Sequence, residues 1–140
     1  MKFNTALLIL FLVFFAGIII QVVLAFLFYL NGHIYSDDLL AILLNTLKVY
    51  SVHLAIIFSG TLFKQMEEKQ QKIDPKVLWI SLLLGGGWNA LLICIMAVMF
   101  FIHPIANYTD FTNFQTKVSD GSAFLITGIL SYFFVAKTQS

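Results

Sequence analysis

The stretch Thr5–Leu30, TALLILFLVFFAGIIIQVVLAFLFYL, decides the class of fold because it contains no charged residue. A transmembrane helix needs about 20 consecutive apolar residues, with a range of about 17–25. The run is far longer than the roughly 7–15 residues of a signal-peptide core, and no small-residue cleavage motif follows it. We therefore predict that this stretch is a retained transmembrane helix.

The composition extends this prediction to the whole chain. Of its 140 residues, 60% are hydrophobic and only 11% are charged, whereas soluble domains carry about 25% charged residues. The chain is therefore expected to be an all-α, polytopic integral membrane protein, a single domain built as a bundle of four transmembrane helices. The predicted spans are 5–30, 39–63, 77–102 and a shorter one at 121–136.

The lysines predict the orientation of the bundle, since all eight cations are lysines. With four spans, one side of the membrane carries both termini and the connector 64–76, and the other side carries the outer loop 103–120 with Lys117. Lysine-rich loops face the cytoplasm, so both termini are predicted to be cytoplasmic and the membrane to be a bacterial inner (plasma) membrane. The lysines on the cytoplasmic side are Lys2, Lys64, Lys69, Lys72, Lys76 and Lys137.

Local signals predict where helices begin. Asp74 followed by Pro75 is typical of a helix start, here that of the third span. Ser119 or Asp120 is expected to cap the fourth span. Aromatic residues recur every three positions in the outer loop and indicate a short helical turn, which either caps the bundle or lies on the membrane surface. These residues are Tyr108, Phe111 and Phe114.

Four polar side chains at membrane depth form the candidate site: Gln21, Lys48, His53 and Asn89. Counted at about 1.5 Å per residue from the outer ends of their spans, Gln21 and Lys48 lie roughly 13 Å deep, and His53 and Asn89 about 20 Å deep. We therefore predict an intramembrane polar layer that pairs Gln21 with Lys48 and His53 with Asn89. Hydrogen bonds between helices would suffice to explain the amides and the imidazole.

Lys48 differs from the other three residues because no Asp or Glu lies at membrane depth in any span to pair with it. Its side chain either snorkels towards the interface or serves the structure, or it lines a hydrated cavity or a subunit interface. Polar residues occur on two sides of the second span, which suits a helix surrounded by protein rather than by lipid.

Two further segments are candidates for function. Gly85, Gly86 and Gly87 lie in the third span, where small residues allow either close helix packing or an unwound hinge. The connector 64–76 is either a solvated link or a docking surface for a cytoplasmic protein partner. Its candidate docking residues are Glu67, Glu68, Lys69 and Lys72.

The sequence predicts no enzymatic activity and no cofactor or metal. It has no paired carboxylates, no histidine cluster at ligand spacing, no nucleophile with a visible base and no phosphate-binding loop. A net charge of +1 without a basic stripe argues against binding to nucleic acid. The single cysteine, Cys94, allows no intrachain disulfide.

Two functions remain open. The first is a small inner-membrane interaction or assembly subunit, which forms a homo-oligomer in the lipid bilayer and recruits or signals to a cytoplasmic partner. Its size and number of spans, as analogy alone, suit a bacterial defence or immunity-type system. The alternative is an oligomeric pore or channel that depolarises the membrane, with Lys48 lining a hydrated path.

Overall fold

The computed structural model describes residues 2–65, 74–101 and 108–135. These ranges form four α-helices, which confirms the all-helical class. Three of the helices are long and apolar enough to cross a membrane, through Thr5–Leu30, Ser36–Ser59 and Pro75–Phe101, as expected of an integral membrane protein. The helices are α1 (Phe3–Leu30), α2 (Ser36–Gln65), α3 (Pro75–Phe101) and α4 (Tyr108–Val135).

A short turn reverses the chain between α1 and α2. Gly32 has a φ of +73°, a left-handed conformation that glycine adopts without steric cost. Its N–H donates to the carbonyl of Tyr29, and the N–H of His33 donates to that of Phe28, each at 3.0 Å. This pair of bonds is the Schellman arrangement that closes many helices. Because the turn is tight, α1 and α2 must lie antiparallel and adjacent.

The start of α3 follows the sequence prediction. The carboxylate Oδ1 of Asp74 accepts a hydrogen bond of 2.9 Å from the backbone N–H of Lys76. Pro75 occupies the first helical position, where its missing N–H leaves no donor unsatisfied. The predicted cap at Asp74 is therefore confirmed.

The helices pack in a ring in which α1 contacts α2 and α3, and α4 contacts α2 and α3. Helices α1 and α3 run parallel, because Phe14 lies against Trp88 and Phe28 stacks on Phe100 further along both helices. Helix α4 runs antiparallel to α3, since Phe100 contacts Phe111 and Trp88 contacts Ser122. It follows that α2 and α4 lie side by side and run in the same direction.

The core of the bundle consists of two apolar clusters. The larger one surrounds Phe14, Tyr50 and Trp88, and the smaller one surrounds Phe28 and Phe100 near the α1–α2 turn. The exposed surface of the first three helices is also largely apolar: Leu8, Leu12, Ile19, Leu44, Leu83 and Leu91 all lie there. A bundle that is apolar both inside and outside is suited to lipid rather than to water.

Helix α4 begins earlier than the sequence indicated. Residues from Tyr108 to Asp120, assigned to the outer loop, are helical, so Ser119 and Asp120 lie inside the helix rather than at its cap. The reason is that Phe111, Gln115 and Ser119 recur every four residues and are buried against the other helices. Phe111 is buried and packs at 5.2 Å from Phe100, whereas Phe114 is exposed, so the three aromatic residues do not share one environment.

Candidate functional site

A chain of hydrogen bonds crosses the bundle interior at Tyr50. The amide Nε2 of Gln21 donates to the Tyr50 hydroxyl at 2.8 Å, and that hydroxyl donates to Oδ1 of Asn89 at 2.6 Å. The Asn89 amide Nδ2 in turn donates to the carbonyl of Gly85 at 3.0 Å. The three side chains are buried. They tie α1, α2 and α3 together at one level.

The same chain of bonds continues into α4. Gln115 donates from Nε2 to Oε1 of Gln21 at 2.7 Å, and its own Oε1 accepts from Nδ2 of Asn45 at 2.7 Å. Oδ1 of Asn45 accepts from the hydroxyl of Thr116 at 3.0 Å. We call this set the polar chain; its members are Gln21, Asn45, Tyr50, Asn89, Gln115 and Thr116. It therefore links all four helices.

The chemistry of the polar chain is that of neutral amides and hydroxyls. An interhelical hydrogen bond in a membrane protein contributes about 0.6 kcal/mol on average, whereas a buried polar group without a partner costs about 1–3 kcal/mol. The arrangement therefore fixes the positions of the helices relative to one another. Because these side chains bond to one another across the interior, they also close the middle of the bundle.

One glycine makes room for the polar chain. A Cβ atom at Gly17 would overlap Oδ1 of Asn89 and lie 2.8 Å from the Tyr50 hydroxyl. Of the three consecutive glycines on α3, only Gly85 faces a close neighbour, with its Cβ position 3.1 Å from the Phe14 ring. Nothing lies within 4 Å of the Cβ positions at Gly86 and Gly87, and α3 is continuous through all three. Close packing therefore involves Gly17 and Gly85.

His53 lies beside the polar chain without joining it. Its ring stacks on Phe14 at 5.8 Å and lies 4.6 Å from Trp88. Nδ1 is 3.2 Å from the carbonyl of Val49. Nε2 has no hydrogen-bond partner among the described residues, and neither does the buried hydroxyl of Thr46. The imidazole is thus held by aromatic contacts and by its own helix.

Lys48 lies on the exposed surface of α2. At 100° per residue it is about 160° around the helix from both Thr46 and Tyr50, so it points away from the core. The exposed residues beside it on α2 are Leu44, Ser51 and Val52. Within the described part of the chain, the Lys48 side chain makes no hydrogen bond or ion pair. The structure therefore separates Lys48 from the other predicted members of the polar layer.

Neither predicted pair, Gln21 with Lys48 or His53 with Asn89, is formed by a hydrogen bond in the described part of the chain. Gln21 and Asn89 come together instead, through the Tyr50 hydroxyl. Asn45 and Gln115 were not predicted; the signal was present in Gln115, which follows the buried Phe111 by one helical turn. The candidate docking residues of the connector lie outside the described residues: Glu67, Glu68, Lys69 and Lys72.

The structure also has an apolar surface groove, and its described residues form no metal site. An apolar surface groove of about 410 Å³ lies between α3 and α4 and is lined by Cys94, Ile95, Val98, Met99 and Phe114. In the described ranges, no three His, Cys, Asp or Glu side chains are grouped so that they could hold a metal ion.

Comparison with protein families, with curated proteins and with solved structures finds no match to this chain.

Proposed function

We propose that this chain is a small membrane-embedded interaction subunit, which oligomerises in the bilayer and recruits or signals to a cytoplasmic partner. The observation that carries this proposal is the position of Lys48. It is a cation on the exposed side of a helix that is apolar enough to span a membrane. The interior of the bundle, by contrast, has its own polar side chains bonded to one another.

The energy of a lysine in lipid supports an assembly role. A lysine at the centre of a span costs about 2.5–3.5 kcal/mol on insertion scales. Lys48 lies nine residues from Leu39, or about 13 Å along the helix, and a lysine side chain of about 6 Å does not cover that distance alone. A second protein surface that offers acceptors or carboxylates would lower this cost, so Lys48 is best explained as an interface residue.

In this proposal all four helices cross the membrane, with both termini and the connector 64–76 in the cytoplasm of a bacterium. Helix α4 has 28 residues, which gives about 42 Å and is long enough to span. Its polar residues Gln115 and Ser119 are buried and Thr116 is half-buried against the other helices. Because these polar side chains are shielded from lipid, they support a fourth span. The charged connector then supplies the surface for the cytoplasmic partner. A bacterial defence or immunity-type system is a setting that suits such a subunit.

One observation favours the second candidate, an oligomeric pore. Ser51 and Ser59 are exposed on the same side of α2 as Lys48, so this side of α2 carries three polar residues among apolar ones. Because the polar chain closes the middle of the bundle, a conducting path would have to run between copies. Lys48 would then line that path and favour anions.

Ion flux separates the two functions. The purified protein is reconstituted into liposomes, and flux is compared for the native chain, Lys48→Leu and the control Lys76→Gln, which removes an exposed cation at the start of α3. The interaction subunit predicts no flux above that of empty liposomes for all three. Flux that Lys48→Leu changes and Lys76→Gln does not would establish the pore instead.

Binding of a cytoplasmic partner is tested on the connector. Charge reversal by Lys69→Glu together with Lys72→Glu should weaken co-purification of soluble proteins with the membrane subunit. The control, Lys2→Glu, is compared with each of the single variants Lys69→Glu and Lys72→Glu; it reverses one charge near the N-terminus, on the same side of the membrane in the proposed topology. Co-purification that is unchanged by the connector variant would remove the docking role.

A further inference from the structure

Helix α4 carries charged residues at the level of Lys48. Asn45 of α2 bonds to Gln115 and Thr116 of α4, which aligns the two helices. Because both run in the same direction at about 1.5 Å per residue, Asp120 lies within about 3 Å of the level of Lys48. The sequence alone placed Asp120 at the membrane surface and Lys48 well below it. The packing of α4 puts them at one level.

Lys48 and Asp120 also lie beside the same contact, the one between α2 and α4. Thr116 and Asn45 meet at the contact between α4 and α2, joined by a hydrogen bond of 3.0 Å. Lys48 follows Asn45 by three residues, and Asp120 follows Thr116 by four, so each lies one turn further along its helix and on the outer side of that contact. Both are exposed, and no ion pair joins either one to another described residue.

We propose that this outer face of α2 and α4 is the interface between two copies of the chain, with Lys48 of one copy paired to Asp120 of the partner subunit. The inference rests on the proposed function and names its oligomeric contact. Each copy presents one cation and one carboxylate at the same level on one surface. A surface of this kind is complementary to itself.

The membrane makes a second copy the natural occupant. Two copies inserted in the same direction are related by an axis along the membrane normal, so residues at equal levels meet. A two-fold axis then forms two Lys48–Asp120 pairs at once, which removes four charges from contact with lipid. Lys117, the other charge at this level, lies 100° beyond Thr116 on α4, farther from the seam and at the rim of this face.

Charge exchange between chains tests the pairing directly. In Lys48→Asp, two aspartates face each other at both contacts, and in Asp120→Lys, two lysines do. Each variant alone should associate with itself at least about tenfold more weakly than the native chain, since like charges in contact disfavour binding. Mixed together, the two variants should recover association, because each pair again joins one lysine to one aspartate.

The mixture also distinguishes the interface from its alternatives. If Lys48 paired with Asp120 of its own chain, or with a lipid headgroup, mixing the variants would restore nothing, and the proposal would be overturned. Association is measured by energy transfer between two fluorescent labels in nanodiscs or vesicles of phosphatidylethanolamine and phosphatidylglycerol. The control Lys76→Asp, at the start of α3, should leave association unchanged.

A milder experiment covers the case in which a charge reversal prevents insertion. Val52 is 55% exposed on α2, one turn beyond Lys48, and Leu83 is 73% exposed on α3. In a Cys94→Ala background, Val52→Cys should form a disulfide-linked dimer in membranes and Leu83→Cys should not. Equal cross-linking at both positions, or at Leu83→Cys alone, would overturn the assigned face.

Failure of this inference can be told apart from failure of the proposed function. In one outcome the native chain associates or binds a cytoplasmic partner, the charge reversals have no effect on association, and Leu83→Cys forms the cross-link. The proposed function as an interaction subunit would then stand, and the interface on the outer face of α2 and α4 would be rejected. Ion flux that depends on Lys48 would reject the interaction subunit itself.

Discussion

The polar chain and the exposed face of α2 show two different uses of polarity in an apolar bundle. Inside, Gln21, Tyr50 and Asn89 are buried and bond to one another across helices. Outside, one helical turn away from Asn45, Lys48 is exposed and has no partner in the described part of the chain. The interior polar side chains therefore bond the helices to one another, whereas we propose that the exposed lysine marks a surface on which one bundle meets a second copy.

Filling the space at Gly17 should break the interior most severely. In Gly17→Ala the new methyl group meets Oδ1 of Asn89 and the Tyr50 hydroxyl, so the polar chain must separate or α1 must move. We expect a loss of roughly 2–3 kcal/mol in the free energy of unfolding. Circular dichroism during a titration from mild detergent into sodium dodecyl sulfate measures it.

The control for that prediction is Gly86→Ala. Nothing lies within 4 Å of its Cβ position, so the substitution should be neutral or should stabilise α3 by up to about 1 kcal/mol. Equal losses for Gly17→Ala and Gly86→Ala would contradict the assignment of Gly17 as the point of close approach.

Removing the central hydroxyl should have the next largest effect. Tyr50→Phe leaves the Gln21 donor and the Asn89 acceptor without their shared partner, at an expected cost of about 1–2 kcal/mol in the free energy of unfolding. The control is Tyr35→Phe, since Tyr35 is 83% exposed in the α1–α2 turn and should change stability by less than about 0.5 kcal/mol. Indistinguishable results for the two variants would show that the polar chain contributes no stability.

Thr46→Val should not lower the free energy of unfolding, unlike the two substitutions above. The Thr46 hydroxyl is buried and has no hydrogen-bond partner among the described residues, and valine has nearly the same shape. We expect the free energy of unfolding to be unchanged or to rise by up to about 1 kcal/mol, because no bond is lost and the cost of burying a hydroxyl is removed. A loss of more than 1 kcal/mol in the same titration would mean that the hydroxyl has a partner, such as a buried water.

The smallest effect on the stability of a single bundle is expected for Lys48→Leu. The side chain is exposed and makes no hydrogen bond or ion pair with another described residue, so the free energy of unfolding of the monomer in dilute detergent should change by less than about 0.5 kcal/mol. The same variant should lose self-association in a bilayer. A large change in monomer stability would place Lys48 in the structure of the bundle rather than at an interface.

The class of fold could be predicted from the sequence because the relevant signals are local. The apolar run at Thr5–Leu30 and the Asp74–Pro75 start of α3 are each read from adjacent residues, and the structure confirms them. The fourth span and the orientation of the termini stay predictions.

Depth alone could not predict which polar side chains lie together. Counting residues from the end of a span gives the level of a side chain, but Gln21 and Lys48 share a level while one faces the core and the other faces away. The direction of each side chain depends on which helices are neighbours, and this is a property of the packing.

The beginning of α4 was missed for a related reason. Its first turns are polar, with Asn113, Gln115 and Thr116 close together, and a polar stretch between apolar segments resembles a loop. Gln115 is buried because Gln21 and Asn45 supply its partners. Since both partners lie on other helices, no pattern within the segment itself could reveal that these residues belong inside a bundle.

The most direct test of an interface at Lys48 is the number of copies in one complex within a native membrane. Stepwise photobleaching of a fluorescently tagged chain counts these copies, and Lys48→Leu is compared with the native chain at equal expression. We expect two or more steps for the native chain and a single step for Lys48→Leu. A single step for both chains, or the same multiple steps for both, would contradict the role of Lys48 in assembly.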